Sequence, residues 1–446
     1  MLPPFWLPTA APGWAIAPTV TPRASPPNLL ADVSTSPWLA LSTFNEGVWA
    51  GRCIAYSLRK QNGQTEGEGE LGRGWDGASE VEFVHTVRSD AATPLELTTS
   101  TLVAGSETPV LHVLQPSART DVDLDGSFSD EHAGGLLHAR ALLAAAQGEE
   151  AAKGIALVLE HALAISDVER WRCLLVYGDE QHMDERASDE GDLVLRQLML
   201  LTEQRLEPLA EPEPPSPLSA PSLDELVGTW VGDACARAPK DAELPQGSPS
   251  DLQLFGHTST NVYNAKLEYT TRELWDGNRA VSRTLRCTSF SGEEMEPIVS
   301  SGALAGDAFA NGGLPTIRFG GSDSSALFLL PGGAHAIAPT RIGADRPFAT
   351  EFAAVLSPGE SFGWESYALQ EALDDGKPPS VLGAPGGVRG VSRGEFPTRN
   401  AMTSINDGIS PGDGAPRLAR VQRLYSGRDA FVSGTTSLLS SVSRRQ

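Results

Sequence analysis

The sequence predicts a mainly β protein built from two tandem antiparallel β-barrels joined by a Pro-rich linker, and three observations carry that expectation. Short apolar or β-branched runs, among them ELTTSTLV, PVLHVLQ, LVLRQLMLLTE, SALFLLPGGAHAIAP and DAFVSGTTSLL, are separated by Gly, Pro, Asp or Ser turns at the spacing of antiparallel barrels. Near the middle of the 446-residue chain lies EPLAEPEPPSPLSAP, residues 207–221, whose Pro and Glu suppress helix and sheet alike. Signals on one side of this stretch recur on the other in the same order, and a repeat decides the architecture.

Taken along the chain, residues 1–35 open with 31 residues that hold one Arg and no Asp or Glu. This resembles an organelle transit segment more than a secretory signal, because no apolar core follows a basic start. The first barrel is expected over 36–206. It starts with LSTFNEGVWAGRC, and the second, over 222–442, starts with LDELVGTWVGDAC; both carry Gly-x-Trp-x-Gly and then a cysteine. GWDGASEVEF and LWDGNRAVSR then match as Trp-Asp-Gly turns leading into a strand. The third match sets Glu160, Ser166, Arg172 and Tyr177 against Glu351, Ser357, Arg420 and Tyr425. AGGLLHARALLAAAQGEEAAKG, about 133–154, reads as a helical insertion packed on the flank of the first barrel, and the Gly/Pro-rich stretch at about 361–416 as a long loop insertion in the second.

The segment TDVDLDGSFS copies the first half of a calcium loop with Asp121, Asp123 and Asp125. Its twelfth position is His132 where calcium needs a bidentate Glu, and Pro116 precedes it where a helix is required. It therefore reads as a strand with the aspartates facing water, and no metal is expected. A formal charge of −23 excludes nucleic-acid binding through clustered Lys and Arg. No apolar run reaches the length of a transmembrane helix. Cys53, Cys173, Cys235 and Cys287 lack zinc spacing and read as buried free thiols.

Gly47-Val48-Trp49 and Gly228-Thr229-Trp230 resemble the lipocalin signature, in which glycine lets the backbone bend and Trp plugs the closed barrel end. With FLLPGGAHAIAPTRIGADRPFATEFAAVL, VQRLYSGRDAFVSGTTSLL, DLDGSFS and LEHALAISDVERWRCLLVY, the chain resembles the domain-of-unknown-function 3598 family of cyanobacteria and plastids, in the calycin superfamily. The resemblance implies calycin, lipocalin-like barrels and plastid delivery, with no established activity. Distant similarity to S-type and T-type bilin lyases makes tetrapyrrole handling a further expectation.

Within such barrels the inward residues carry function. The site residues expected to bind ligand are Arg172 with Glu160, Arg420 with Glu351, and Tyr177 and Tyr425 beside them; each charge sits in an apolar strand, where a partner is required. One reading has the arginines receive a ligand carboxylate. The other has them form internal ion pairs or pack over the barrel-end Trp. No Gly-x-Ser-x-Gly elbow is present, the eight histidines are scattered, and no catalytic residue is assigned. The expected ligand is a hydrophobic or amphipathic small molecule, a pigment, tetrapyrrole or lipid, with no obligatory cofactor. A bilin lyase-like enzyme and a scaffold that binds protein partners through its insertions are the alternatives.

Overall fold

The apolar and β-branched runs form strands throughout. The computed structural model of the protein describes residues 45–57, 75, 78–90, 93–114, 121–122, 128–130, 133–165, 168–179, 192–206, 215, 217–239, 258–289, 292, 294–304, 313–320, 325–343, 346–356, 415–427 and 430–442. Residues 1–35 and the loop insertion up to residue 414 lie outside them.

The first half comprises β1 (Gly47–Ser57), β2 (Ser79–Asp90), β3 (Thr93–Val103), β4 (Val110–Leu114), β5 (Asp121–Val122), β6 (Phe128–Asp130), helix α1 (Ala133–Gln147), β7 (Ile155–Ala164), β8 (Glu169–Asp179) and β9 (Leu193–Arg205). These strands run β4-β3-β2-β1-β9-β8-β7-β6-β5 in one open antiparallel sheet. The second half comprises β10 (Gly228–Pro239), β11 (Thr258–Glu273), β12 (Arg279–Ser289), β13 (Ile298–Leu304), β14 (Thr316–Phe319), β15 (Ser325–Leu329), β16 (Ala334–Pro339), β17 (Arg341–Ile342), β18 (Phe348–Leu356), β19 (Arg417–Gly427) and β20 (Ala430–Val442). Ten of these strands close into a barrel, and β17 adds instead to β9 of the first sheet.

Register bears out the duplication. Trp49 and Trp230 each donate their indole N–H to the carbonyl four residues earlier, Asn45 and Leu226, at 2.9 Å in both cases. Gly47 and Gly228 precede them at φ +143° and +141°, a region open to glycine and costly for other residues. Arg172 faces Ala162 across β7–β8 and Arg420 faces Ala353 across β18–β19, while Glu160 faces Leu174 and Glu351 faces Gln422.

Four expectations change. Among the described residues the first copy forms a half-barrel, an open sheet, where a barrel is expected: β5 and β6 are only two and three residues long, and α1 covers the face that corresponds to the barrel interior. Ala139, Leu142 and Leu143 of α1 are fully buried there against Cys53, Phe83, Val103, Val158 and Leu174, so the helix fills the lumen face instead of riding on the outer flank. The two Trp-Asp-Gly segments are also not equivalent, since Trp75 precedes β2 whereas Trp275 sits between β11 and β12, one strand further along its copy. The segment DVDLDGSFS forms a hairpin of β5 and β6 rather than one strand; residues 123–127 lie outside the described residues.

Three apolar layers result. The first lies between α1 and the open sheet. The second lies between the outer face of that sheet and the outer face of β15, β16, β18 and β19, with Trp171, Cys173, Leu175, Leu198 and Leu200 against Phe328, Ala336, Phe352 and Val421. The third lines the barrel interior with Trp230, Leu267, Leu285, Leu329 and Leu439. Strand β9 is therefore buried on both faces, which is why LVLRQLMLLTE shows no alternation. Past the Pro-rich stretch, Leu218 packs against the middle layer and Gly332 N–H donates to Ser219 O at 3.0 Å. No helix among the described residues is long and apolar enough to cross a membrane.

Candidate functional site

The period of two along each strand decides which side chains face the two lumens. Arg170 and Arg172 share a face of β8 with Leu174 and Val176, toward α1, and Arg420 shares a face of β19 with Leu418, toward the barrel interior.

In the first half the charges are balanced. Arg172 Nη1 donates to Glu160 Oε1 at 2.7 Å and its Nε lies 3.0 Å from Glu203 Oε2. Arg170 forks onto Glu203 at 2.6 and 3.1 Å and donates to Asn45 Oδ1 at 2.5 Å. Arg170 also lies 4.1 Å above the Trp49 ring, with Arg205 at 4.8 Å, so the packing of an arginine on the barrel-end Trp falls to Arg170 rather than Arg172. His85 and His138 close the network 3.2 and 3.4 Å from Arg172. Burial alone would raise the Glu203 carboxyl, but Arg170 and Arg172 outweigh it and hold it below the usual range. The Cys53 thiol beside them is pushed up to about 12 by burial, which removes it as a nucleophile at neutral pH.

In the second half the charges are unequal. Arg283 Nη2 and Arg420 Nη2 converge on the same oxygen, Glu351 Oε2, at 2.6 and 2.8 Å. Burial pushes the Glu351 carboxyl up, yet the two guanidiniums prevail and hold it well below the usual carboxylate range. Arg283 Nε donates to the Tyr269 hydroxyl at 3.3 Å, and that hydroxyl lies 3.2 Å from His335 Nε2. Burial lowers the His335 pKa and keeps it neutral, and burial raises Tyr269 to about 12. His335 Nε2 faces the Tyr269 hydroxyl at 3.2 Å and Glu351 Oε1 at 3.7 Å, an oxygen that can donate or accept and a carboxylate oxygen that only accepts.

Besides the acceptor Glu351 Oε1, three polar atoms here, Arg420 Nε, His335 Nδ1 and Ser437 Oγ, have no hydrogen-bond partner among the described residues, although their residues are 1%, 0% and 1% exposed. They lie on one girdle of the barrel, because His335, Ala353, Arg420, Ser437 and Ala234 are successive cross-strand partners on β16, β18, β19, β20 and β10. Buried polar groups are rarely left unpaired, and each costs about 1–3 kcal/mol unless something satisfies it.

The structure thus brings Glu160 to Arg172 and Glu351 to Arg420, each pair facing its lumen. Tyr177 and Tyr425 face the other way. Tyr177 donates to Pro339 O at 3.0 Å and Tyr425 stacks on Phe348 with centroids 4.5 Å apart, both between the two halves. Five residues along a strand is an odd step, which reverses the face. Arg283 was legible by alternation, since Val281, Arg283, Leu285 and Cys287 share one face of β12. Glu203 had no such signal in a strand buried on both sides.

No family model and no curated protein matches the chain. Among solved structures it is similar to a protein of unknown function from Nostoc punctiforme, of the domain-of-unknown-function 3598 family that the sequence motifs resemble; 92% of this chain and 100% of that chain are covered, at 14% identity and a TM-score of 0.48. A mutant porin of Rh. blastica is similar over 88% of this chain and 98% of its own, at 8% identity and a TM-score of 0.12.

Proposed function

We propose that the protein is a soluble carrier that holds one hydrophobic or amphipathic small molecule, a pigment, tetrapyrrole or lipid, in the lumen of the second barrel. The observation behind this reading is the difference between the two lumen faces. The first is occupied by the protein's own helix α1 over two arginines matched by two carboxylates, and the second sets two arginines against one carboxylate. An eight-stranded barrel is just wide enough to fill itself or hold one small ligand, and a barrel of ten strands is wider. The calycin fold and delivery of the chain to plastids by its first 35 residues belong to the same proposal.

Native mass spectrometry and an absorption spectrum of the full chain, purified from a host that makes tetrapyrroles and lipids, test it. The expected result is one bound mass per chain, with visible absorption separating pigment from lipid. A clean apo mass, with no uptake of offered lipids or bilins, would overturn the carrier reading. It would favour a scaffold instead. The lyase alternative needs a reactive thiol or acid, and burial raises Cys53 and Cys173 while Glu351 is held ionised between two arginines.

A further inference from the structure

The lumen of the second barrel carries a charge count as well as unpaired donors. Among the described residues of its central cluster, Arg283 and Arg420 face a single carboxylate, Glu351, while His335 and Tyr269 are neutral. One positive charge is left over in a closed, water-poor interior. An uncompensated buried charge costs several kcal/mol, which favours occupation by a compensating monoanion.

The free donors define where that anion sits. Arg420 Nε–H and Ser437 Oγ–H lack acceptors and His335 Nδ1 is unpaired beside them, and all three belong to the girdle that runs His335, Ala353, Arg420, Ser437, Ala234. Adjacent strands are about 4.8 Å apart, so Arg420 and Ser437 are immediate neighbours and His335 is about 10 Å away along a wall that curves toward them. The residues between and beside them on the girdle, Ala353 and Ala234, carry the small methyl side chain. Outside this girdle the lumen is lined by Leu267, Leu285, Leu329 and Leu439, which suit an aliphatic chain and offer a second charge no partner.

Resting on the carrier reading, we propose that His335, Arg420 and Ser437 form the seat of a single carboxylate, the head group of a monocarboxylic amphiphile whose apolar tail lies in the leucine-lined lumen. The Arg420 guanidinium provides the charge-assisted contact, Ser437 supplies a flanking donor, and His335 Nδ1 borders the seat. A fatty acid and the propionate of a tetrapyrrole share this chemistry. The single surplus charge favours the first, because a bilin brings two carboxylates.

The test is calorimetric titration of the full chain with lauric acid, dodecanol and biliverdin, repeated on Arg420→Gln and Ser437→Ala. Lauric acid is expected to bind once per chain and at least about tenfold more tightly than dodecanol, as a charge-assisted contact predicts. Arg420→Gln should erase that preference and Ser437→Ala should reduce it. If Arg420→Gln fails to fold, Ser437→Ala carries the test, since it removes one donor and no charge. Equal binding of acid and alcohol, unchanged in both variants, would overturn the carboxylate seat and leave the carrier reading standing. Biliverdin binding more tightly than lauric acid would overturn the single-carboxylate class. Failure of all three probes to bind would overturn the carrier reading itself.

Discussion

The two copies keep the same backbone plan and place different side chains at corresponding points of it. In the first, Arg170 faces Glu203 across β8–β9; in the second, Leu418 faces Leu439 across β19–β20 at the same place relative to the arginine two residues on. The girdle changes in the opposite sense. Positions held by His335, Ala353, Arg420, Ser437 and Ala234 correspond to Phe128, Ala162, Arg172, Leu201 and Cys53. Only the arginine and one alanine persist. The first copy therefore places its polar residues in a charge-balanced network under α1, while the second is apolar near its barrel-end Trp and sets two arginines against one carboxylate. The two copies share a frame, and one lumen face is covered by α1 while the other holds an arginine in excess of its carboxylate.

The largest effect expected from breaking this comparison is in the first copy. Glu203→Ala leaves Arg170 and Arg172 buried with one carboxylate between them and should cost about 3–5 kcal/mol in urea unfolding. Ser437→Leu copies Leu201 into the second lumen. It should abolish lauric acid binding at an overpacking cost of about 1–3 kcal/mol, whereas retained binding would show that the two girdles differ for some other reason. The double variant Arg170→Leu, Glu203→Leu installs the Leu418–Leu439 pair in the first copy. Replacing a buried ion pair by apolar residues is often near neutral, so it should recover most of the stability that Glu203→Ala loses, Arg172 keeping Glu160 as partner.

The smallest effect is on pH dependence. Burial lowers His161, 2.9 Å from Thr350 Oγ1 between the halves, to about 3. Between that value and 6.5 the unfolded chain holds a proton on this residue that the folded chain does not. Its contribution to stability is therefore complete above about pH 6.5 and is lost as the pH falls toward 3. Glu203 and Glu351, held low, contribute above their unfolded value of about 4.5 and lose that contribution only below it. Unfolding measured between pH 4.5 and 6.5 isolates the histidine part, and His161→Gln should flatten the slope there by at most about 1.4 kcal/mol per pH unit. An unchanged slope would place the acid sensitivity elsewhere, His335 being the next group lowered by burial.

What could be read from the chain follows from how many faces of a strand are buried. Glu160, Arg172, Glu351 and Arg420 were legible because a charge inside an apolar run stands out and recurs at matching places. Arg283 followed the same alternation and could have been found with them. Glu203 could not, because burial on both faces of β9 erases the period that separates inward from outward positions. The tyrosines were misplaced by an odd step along the strand. The open first sheet was hidden for a further reason: whether a sheet closes depends on long-range pairing of its edges, and the alanine-rich helix that takes the place of closure has the same composition whether it lies inside or outside. The Trp-Asp-Gly match misled because two hairpin turns share a local solution without sharing a place in the topology.

The central claim, that the second lumen binds and the first does not, is tested most directly by locating the bromine of ω-bromo lauric acid by anomalous diffraction from crystals of the complex. The account predicts one bromine per chain inside the second barrel, with the carboxylate against Arg420, His335 and Ser437 and none between α1 and the open sheet. Bromine beneath α1, or only on the outer surface of the barrel, would contradict it.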